Sequence, residues 1–296
     1  MKIWLDGRIV ERSEAKVAVL DHGFLYGDGV FEGMRVYSRR LFRLERHMDR
    51  LAAGARALGI DLPGGREGIA AIALATAREY VRASGEADAY IRLIVSRGIG
   101  ELGVDPSSCP TPFVTCIVDK IRIFSDEKLL SGISLITSSR RSPSPDVRDP
   151  RVKSLNYLNN ALAKQEARRQ GADDALLLNQ AGAVAEASVA NVFAVRGGRL
   201  LTPPPSDGAL EGITRASVLE IAAELGVQAE ERTLGRYDLI AAEEVFLTGS
   251  GAKVVPVATL DGARIGRGEA GPLTQKLIAA FDRYARDPEN GTALGV

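Results

Sequence analysis

The sequence predicts an α+β protein of two domains, each a mostly antiparallel sheet or barrel with helices. Its 296 residues suit one large or two ordinary domains. Short alternating strands joined by glycine turns are interspersed with amphipathic helices along the chain. Near residues 121–131 the hydrophobic period is lost, and a strand pattern restarts at 132–139. We therefore expect a small domain of residues 1–121, a linker of residues 122–131 and a larger domain of residues 132–296, meeting at a shared cleft.

The composition argues against several function classes. Basic and acidic side chains number 38 each, so a net charge of zero gives no electrostatic reason to expect nucleic acid or membrane partners. No apolar run approaches the roughly 18 residues of a membrane span, and no signal region is visible at the N-terminus. Two cysteines and two histidines argue against a disulfide framework and a histidine-rich metal site. We expect a cytoplasmic protein that uses lysine, tyrosine, arginine, carboxylates or a bound cofactor.

The first half of the chain predicts strands and two long helices. Residues 2–10 alternate around Asp6-Gly7, a pair favoured in type I′ hairpin turns. Apolar residues recur every three or four positions from Glu45 and predict a helix that ends at Gly59. The other predicted elements are strands at 17–20, within VFEGMRVY, at 89–98 and at 111–120, and a helix over 66–83.

The second half starts with the strand at 132–139 and a proline-rich loop, RRSPSPDVRDP, which Lys153 follows. Ser154 is a candidate N-cap for a helix over 157–169 that Gly171 closes. The remaining predicted elements are two strands around a turn in DALLLNQAGAVAEA, a hairpin turned at Gly197-Gly198, a helix over 211–226, a strand, glycine turn and strand in EEVFLTGSGAKVVPV, and a last helix over 272–286.

Lys153 and Glu186 are the candidate reactive residues. Lys153 lies between the proline-rich loop and an apolar helix start, with Tyr157 one helical turn on. A lysine that attacks an aldehyde must be neutral, and burial or a cationic neighbour lowers its pKa to allow this. Glu186 lies among small residues, where a carboxylate can pair with a protonated cofactor nitrogen and keep the ring an electron sink. The alternatives are a solvated lysine and an exposed strand carboxylate.

Two glycine turns and one arginine are candidates for binding a phosphate. Gly212-Ile213-Thr214 opens a helix, whose first backbone N–H groups and dipole suit an anion. Gly249-Ser250-Gly251 offers turn amides and a hydroxyl. Arg50, on the first long helix, can grip a phosphate through its guanidinium, and its alternative is an ordinary solvated charge.

A set of aromatic and cationic residues in the first half suits a substrate pocket. As alternating strand residues, they can pack against helices or line an aromatic pocket with a buried cation for a carboxylate. The set is Tyr26, Phe31, Arg35, Tyr90 and Arg92.

These motifs together resemble a known family. YGDGVFEGMRVY, RHMDRL, KSLNYLNN, LEGITR and FLTGSGAKVVPV are similar to the fold-type IV pyridoxal phosphate enzymes, above all to branched-chain amino acid aminotransferases. The resemblance runs in the family's order from about residue 2 to 285. It implies the two-domain fold of D-amino acid aminotransferases, with the active site at the domain interface and pyridoxal 5′-phosphate as cofactor.

The resemblance also implies a role for each site residue. Lys153 forms the covalent link to the cofactor and moves the substrate's Cα proton, Tyr157 bonds the ring's phenolic oxygen, and Glu186 holds the pyridine nitrogen. The implied phosphate contacts, with Leu210 under the ring, are Arg50, Gly212, Ile213, Thr214, Gly249 and Ser250. The implied substrate contacts are Tyr90 and the turn of Ser250, Gly251 and Ala252 for the carboxylate, and Tyr26, Phe31, Gly33, Arg35 and Arg92 for the side-chain pocket.

Three positions depart from the family's pattern. Val189 stands where a glycine at the pocket edge is expected, Gly251 where alanine is usual, and Lys253 where glutamate is usual. None of them removes a cofactor contact. A mismatch of one or two methylenes shifts selectivity by roughly 1–3 kcal/mol, so the width of the pocket can differ while the reaction stays the same.

The resemblance implies transamination of L-leucine, L-isoleucine and L-valine with 2-oxoglutarate as acceptor. It also implies a homodimer or larger assembly, in which a loop near residues 99–108 reaches over the neighbour's site. A D-amino acid aminotransferase and a 4-amino-4-deoxychorismate lyase share the fold and stay open as alternatives. A cofactor-free binding protein is disfavoured because Lys153, Tyr157, Glu186 and Arg50 occur together.

Overall fold

The computed structural model describes residues 1–121 and 123–296 and divides the chain into two compact units. Unit 1 consists of Met1–Ile121, Val152–Asn156 and Ala285–Val296. Unit 2 holds the other described residues, 123–151 and Tyr157–Tyr284. Arg122, where the predicted linker begins, lies outside the described residues, as does the side chain of Asp126.

The elements alternate between short strands and helices. The strands, in chain order, are β1 (Lys2–Leu5), β2 (Arg8–Val10), β3 (Gly29–Tyr37), β4 (Arg40–Phe42), β5 (Ala89–Ser96), β6 (Phe113–Asp119), β7 (Ile133–Arg141), β8 (Asp174–Leu178), β9 (Val184–Ala187), β10 (Asn191–Arg196), β11 (Arg199–Thr202), β12 (Ala229–Glu231), β13 (Glu244–Gly249), β14 (Lys253–Leu260), β15 (Ala263–Arg264) and β16 (Gly291–Ala293). The α-helices are α1 (His22–Tyr26), α2 (Leu44–Ala57), α3 (Gly65–Ser84), α4 (Asp126–Ser131), α5 (Pro145–Arg148), α6 (Leu158–Arg169), α7 (Ile213–Glu224), α8 (Arg236–Ile240) and α9 (Pro272–Arg286).

Unit 1 is one antiparallel sheet packed against two helices. The strand order is β16-β4-β3-β5-β6-β1-β2, and each neighbouring pair is antiparallel. On β3, Val30, Met34 and Val36 point to one face and pack into the core with residues of α2 and α3. The residues of this face recur at every second position, as the two-residue period of a strand requires, and all of them are apolar except Glu32.

Unit 2 is a mixed sheet in which antiparallel pairs predominate. The strand order is β12-β11-β10-β13-β14-β7-β8-β9, with β15 paired to β14. The pairs β11–β12, β14–β7 and β7–β8 are parallel. Ala163 and Ala167 of α6 pack against β7 and β8. The α+β prediction with mostly antiparallel sheets is confirmed.

The predicted hairpins and long helices occur where the patterns place them. Asp6 and Gly7 both have positive φ angles, 44° and 90°, as a type I′ turn needs. Two regions predicted to be irregular contain short helices: α4 lies within the predicted linker, and α5 lies within the proline-rich loop. The compact units are also discontinuous in sequence, since residues 152–156 and 285–296 belong to unit 1.

Three local predictions are wrong. Residues 17–20 have no strand partner within the described chain, and Val17 and Val19 are exposed rather than paired. Tyr26 lies in helix α1 instead of a strand, because the Asp21 carboxylate accepts hydrogen bonds from the backbone N–H groups of Gly23 and Phe24 and caps a helical turn. Ser154 does not cap α6, whose N-cap residue is Tyr157.

A buried ionic cluster joins β3 to α2. Glu32 is fully buried on the apolar face of β3, and its Oε1 and Oε2 accept hydrogen bonds from Nε and Nη2 of Arg50 at 2.7 and 2.8 Å. Nδ1 of His47, one helical turn before Arg50, lies 2.7 Å from the same Oε2. Because a carboxylate only accepts, Nδ1 of His47 carries the proton. We call Glu32, His47 and Arg50 the Glu32 cluster.

The Glu32 cluster shifts the ionisation of two of its members. Burial alone raises the pKa of Glu32, but the charges and hydrogen bonds of Arg50 and His47 outweigh it and hold this pKa well below its usual range. Burial lowers the pKa of His47 below its ordinary value of 6.5, against the opposing effect of Glu32. Glu32 is therefore ionised and His47 neutral at neutral pH.

Within the part of the chain that the structure describes, no helix combines the length and the apolar character that crossing a membrane requires.

The lowered pKa of His47 predicts a pH dependence of stability. His47 binds a proton more readily in the unfolded chain than in the folded chain, so stability falls as the pH drops below 6.5. Protonation of Glu32 lowers the stability further only when the pH falls below 4.5, the ordinary pKa of a glutamate side chain. We expect the free energy of unfolding to decrease from about pH 7.5 to about pH 5, and His47→Asn to flatten this decrease while its amide still donates to Glu32. Denaturant unfolding at several pH values measures both curves, and parallel curves would contradict the assignment.

Candidate active site

Lys153 lies in a short segment that pairs with β3. The backbone N–H of Phe31 donates to the carbonyl oxygen of Lys153 at 3.0 Å, and the N–H of Leu155 donates to that of Gly29 at 2.9 Å. Val30 and Ser154 form an antiparallel bridge between these bonds. The side-chain Nζ of Lys153 lies 4.4 Å from the centre of the Phe31 ring. Strand β3 therefore fixes the backbone of residues 153–155, and the lysine amine lies next to an aromatic face.

Four predicted pocket residues, one of them the Phe31 beside this amine, lie together on β3 and β5. The guanidinium carbon of Arg92 lies 4.5 Å from the centre of the Phe31 ring, and its Nη2 donates to Oη of Tyr90 at 3.1 Å. Gly33 is directly opposite Arg92 in the β3–β5 register. A Cβ atom at position 33 would lie 2.5 Å from Oη of Tyr90, so a larger residue there would displace the tyrosine hydroxyl. The structure thus brings Phe31, Gly33, Tyr90 and Arg92 together as predicted pocket residues.

Arg35 and Tyr26 lie farther along the same unit. Arg35 is opposite Tyr90 in the register, and its guanidinium carbon lies 5.9 Å from the centre of the Tyr37 ring. Tyr26 accepts a hydrogen bond at Oη from the backbone N–H of Gly103 at 2.9 Å. Tyr26 therefore contacts the loop of residues 99–108, which the family resemblance predicts to reach over the site of a neighbouring copy.

Arg50 lies in the Glu32 cluster, and its side chain is 13% exposed. It is not the solvated helix charge of the alternative interpretation, because both Nε and Nη2 are engaged by a buried carboxylate. Sequence reasoning missed Glu32 and His47. The sequence does contain a signal for this cluster, because Glu32 occupies the same face of an alternating strand as Val30 and Met34. A carboxylate buried at such a core position requires a cationic or hydrogen-bonding partner.

Glu186 lies at a hydrogen-bonded junction in unit 2. It is half-buried on β9, and its Oε2 accepts a hydrogen bond from the backbone N–H of Leu210 at 3.0 Å. Nδ2 of buried Asn191 lies 3.4 Å from the same oxygen and donates to the carbonyl oxygen of Leu210 at 2.8 Å. The exposed strand carboxylate of the alternative interpretation is therefore not what the structure shows.

The start of α7 is fitted closely to Asn191. Gly212 is the N-cap residue, and a Cβ atom there would lie 1.9 Å from Oδ1 of Asn191, so a larger residue would displace the asparagine. Ile213 and the buried Thr214 form the first turn. Asn191 thus links the Glu186 carboxylate, the Leu210 backbone and the start of this helix in one arrangement.

The remaining candidates lie in turns of unit 2. Ser250, Gly251 and Ala252 form the turn between β13 and β14. A Cβ atom at Gly249 would lie 3.3 Å from the carbonyl oxygen of Val189, so the turn that follows Glu186 borders this one. The Val189 side chain is 55% exposed. Lys253 has a positive φ of 62° and its Nζ lies 3.5 Å from a carboxylate oxygen of Asp282.

Comparison with known proteins connects this arrangement to one family. Residues 29–260 match the family model for amino-transferase class IV. A putative branched-chain-amino-acid aminotransferase of Methanocaldococcus jannaschii is 44% identical over 281 residues, which cover 95% of each chain.

Solved structures agree with the sequence match. A T.th. branched-chain amino acid aminotransferase with pyridoxamine 5′-phosphate has a TM-score of 0.92 at 36% identity and covers 99% of this chain and 98% of its own. The same enzyme complexed with N-(5′-phosphopyridoxyl)-L-glutamate has a TM-score of 0.91 at 36% identity, with the same coverage. Pyridoxal phosphate is accordingly the cofactor. The prediction from the sequence motifs is confirmed: this chain belongs to the class IV aminotransferases, the fold-type IV pyridoxal phosphate enzymes.

Proposed function

We propose that this aminotransferase moves the amino group of L-leucine, L-isoleucine or L-valine to 2-oxoglutarate, with pyridoxal phosphate attached to Lys153. The observation that carries the proposal is the amine of Lys153, which lies in its β3-paired segment 4.4 Å from the centre of the Phe31 ring, a ring that the Arg92 guanidinium also contacts. The similarity to branched-chain amino acid aminotransferases over almost the whole chain supports the substrate class.

The residues present fit the cofactor. Glu186 is a half-buried carboxylate whose Oε2 is already held by one backbone N–H, so it is oriented to accept a further bond from a protonated pyridine nitrogen. In this proposal Leu210 packs under the ring and Tyr157 donates to the phenolic oxygen. Bound pyridoxal phosphate supplies the electron sink that takes up the electron pair left when the substrate's Cα loses its proton.

The phosphate is bound by backbone amides and a guanidinium. Gly212 has no side chain to cap α7, a helix of 12 residues, so the first-turn N–H groups of Ile213 and Thr214 are suited to an anion. Arg50 adds a charged donor and Ser250 a hydroxyl, with Gly249 allowing the turn between β13 and β14. Each of these groups is of a type that proteins use for phosphate.

Lys153 is the proposed base and acid of the reaction. Its Nζ takes the proton from Cα of the bound amino acid and delivers it to C4′ of the cofactor, and in the half-reaction with the keto acid it carries a proton in the opposite direction, from C4′ to Cα. The β3 pairing fixes the lysine backbone, so the movement is confined to the side chain. Phe31 covers the amine on one side and excludes water there.

The substrate pocket combines an apolar wall with carboxylate donors. Phe31 and Gly33 supply the wall for a branched side chain, and Tyr90 and the turn amides of Gly251 and Ala252 bind the α-carboxylate in this proposal. Arg35 and Tyr26 complete the side-chain pocket. In this proposal Val189, which is 55% exposed at the turn after Glu186, narrows the edge of the side-chain pocket.

The acceptor 2-oxoglutarate has a second carboxylate, for which we propose Arg92 as partner. Its guanidinium carbon and Nζ of Lys153 lie 4.5 and 4.4 Å from the same Phe31 ring, so a positive charge is present near the reacting amine. The T.th. enzyme complexed with N-(5′-phosphopyridoxyl)-L-glutamate supports this acceptor, because glutamate is the aminated form of 2-oxoglutarate.

We propose a homodimer or larger assembly and a cytoplasmic location. Leu102 and Val104 are 78% and 81% exposed in the loop of residues 99–108, and apolar side chains exposed to this degree suit an interface between copies. Cys109 and Cys116 are free thiols, as expected in a reducing compartment.

Lys153→Ala tests the reaction directly. We expect transamination to fall by at least about 10²-fold, because the proposed general base is removed, and the visible absorption of the covalently bound cofactor to be lost. Lys120→Ala, a change at an exposed lysine of the same unit, is the control and should keep both. In the natural chain, L-leucine added without a keto acid should bleach the visible band and D-alanine should not. Retained turnover in Lys153→Ala, or bleaching by D-alanine alone, would contradict the proposal.

Arg92→Gln tests the acceptor. Loss of a charged hydrogen bond to the second carboxylate should lower kcat/KM for 2-oxoglutarate at least about tenfold, while a keto acid with an apolar side chain is affected much less. Arg82→Gln, a change at an exposed arginine of helix α3 in the same unit, is the control and should leave kcat/KM unchanged for both acceptors. An equal loss for both acceptors would show that Arg92 acts on the fold of the pocket and not on the distal carboxylate.

Val189→Gly tests the pocket edge. Removing the isopropyl group should change the ratio of kcat/KM between leucine and valine about 5- to 100-fold, which corresponds to one or two methylenes of altered contact. The absorption of the bound cofactor should stay as it is in the natural chain. If the ratio is unchanged, Val189 does not line the pocket.

A further inference from the structure

The Glu32 cluster has a geometry that simple stabilisation does not require. One carboxylate accepts from three N–H groups: Nε and Nη2 of Arg50 at 2.7 and 2.8 Å and Nδ1 of His47 at 2.7 Å. Glu32 and His47 are 0% and 1% exposed, whereas Arg50 is 13% exposed and is the member of the cluster that reaches towards the surface. The fully buried Glu32 carboxylate thus holds the guanidinium of Arg50, which is the more exposed of the two groups.

We propose that Glu32, fixed by His47, is a positioning residue that sets the orientation of the Arg50 guanidinium for the cofactor's phosphate. This inference rests on the role proposed above for Arg50. Glu32 touches neither cofactor nor substrate in this scheme and acts only through the arginine.

Bidentate pairing is what gives the carboxylate this effect. An arginine side chain has several rotatable bonds, and ordering it on binding a ligand costs free energy. Two parallel N–H···O bonds define both the position and the plane of the guanidinium. Because Glu32 lies in the middle of β3, paired with Leu93 of β5, its own backbone cannot shift to follow a moving arginine. The guanidinium is therefore ordered before the phosphate arrives.

The role of His47 follows from its protonation. His47 is neutral, so it adds a hydrogen bond to Oε2 of Glu32 without adding a charge that would compete with Arg50 for the carboxylate. The bond removes the remaining freedom of Glu32 to rotate about its terminal torsion. Asparagine can replace this donor, whereas leucine cannot.

The negative charge of Glu32 has an opposite effect that an experiment can separate. A carboxylate next to Arg50 weakens the arginine's attraction for a phosphate dianion. If charge dominated, removing it would tighten phosphate binding. If orientation dominates, as proposed here, removing the charge with Glu32→Gln weakens phosphate binding. The NH₂ group of the glutamine amide then faces N–H groups that had donated hydrogen bonds to the carboxylate, so the guanidinium is no longer held in place.

The test is the ratio of the dissociation constant of pyridoxal to that of pyridoxal phosphate, measured on the full-length chain after removal of its cofactor. The ratio reports the phosphate contacts alone, since a general loss of structure weakens both ligands. We expect Arg50→Gln to lower the ratio at least about tenfold and Glu32→Gln to lower it about three- to tenfold. The double variant should be no lower than Arg50→Gln, because Glu32 acts only through Arg50.

Matched variants keep the test decisive if Glu32→Gln folds poorly. His47→Leu should lower the ratio and His47→Asn should preserve it. Asp88→Asn, which breaks a bidentate arginine pair with Arg286 in the same unit, should leave it unchanged. An equal loss of affinity for both ligands, or a raised ratio, in Glu32→Gln and His47→Leu would overturn the inference alone. An unchanged ratio in Arg50→Gln would instead overturn the proposed phosphate role of Arg50.

Discussion

The two-residue period of strand β3 is the constraint on which unit 1 depends. Successive side chains alternate between two faces, so Val30, Glu32 and Met34 point to the helices while Phe31 and Gly33 point the other way. The backbone of the same strand also bonds to the segment that carries Lys153. A slip of one residue would exchange the two faces, placing Phe31 against α2 and removing Glu32 from His47 and Arg50. Apolar burial of one face of β3 therefore fixes the positions of Lys153, of the proposed pocket wall and of Arg50 together.

In unit 2 a single asparagine has a comparable effect. Asn191 donates to the Leu210 carbonyl oxygen, lies within hydrogen-bond distance of Glu186, and fills the space that a side chain at Gly212 would need. It is buried on β10, where its backbone pairs with Thr248 of β13. The Nδ2 group of an asparagine has two N–H donors, which here are directed at the Glu186 carboxylate and the Leu210 carbonyl oxygen, while Oδ1 occupies the space beside Gly212.

Much of this organisation could be predicted from the sequence, because it depends on local patterns. The Asp6-Gly7 hairpin and helices α2, α3 and α9 follow from turn chemistry and hydrophobic period, and the clustering of Phe31, Gly33 and Arg92 follows from strand alternation. The roles of Glu32 and His47 could not be predicted in this way. The environment of Glu32 is set by residues 15 and 18 positions away on another element, and only packing brings them to it. Strand alternation predicts Tyr26 wrongly because one carboxylate, Asp21, caps a helical turn too short to show a period.

The free-energy cost of burying the Glu32 cluster indicates that the cluster does more than stabilise the contact between β3 and α2. Desolvating a carboxylate and a guanidinium costs several kcal/mol per ion, and well-packed hydrophobic residues of similar volume often stabilise a fold as well or better. At the junction of β3 and α2, Met34, Met48 and Leu51 already provide such packing. If stability were the only requirement, an apolar residue at position 32 could extend the packing between β3 and α2. The presence of an ionised carboxylate there, with its charge matched by Arg50 and its orientation fixed by His47, is accounted for if the guanidinium must be held in one orientation. The desolvation cost of the cluster is then the thermodynamic cost of ordering a cofactor contact in advance.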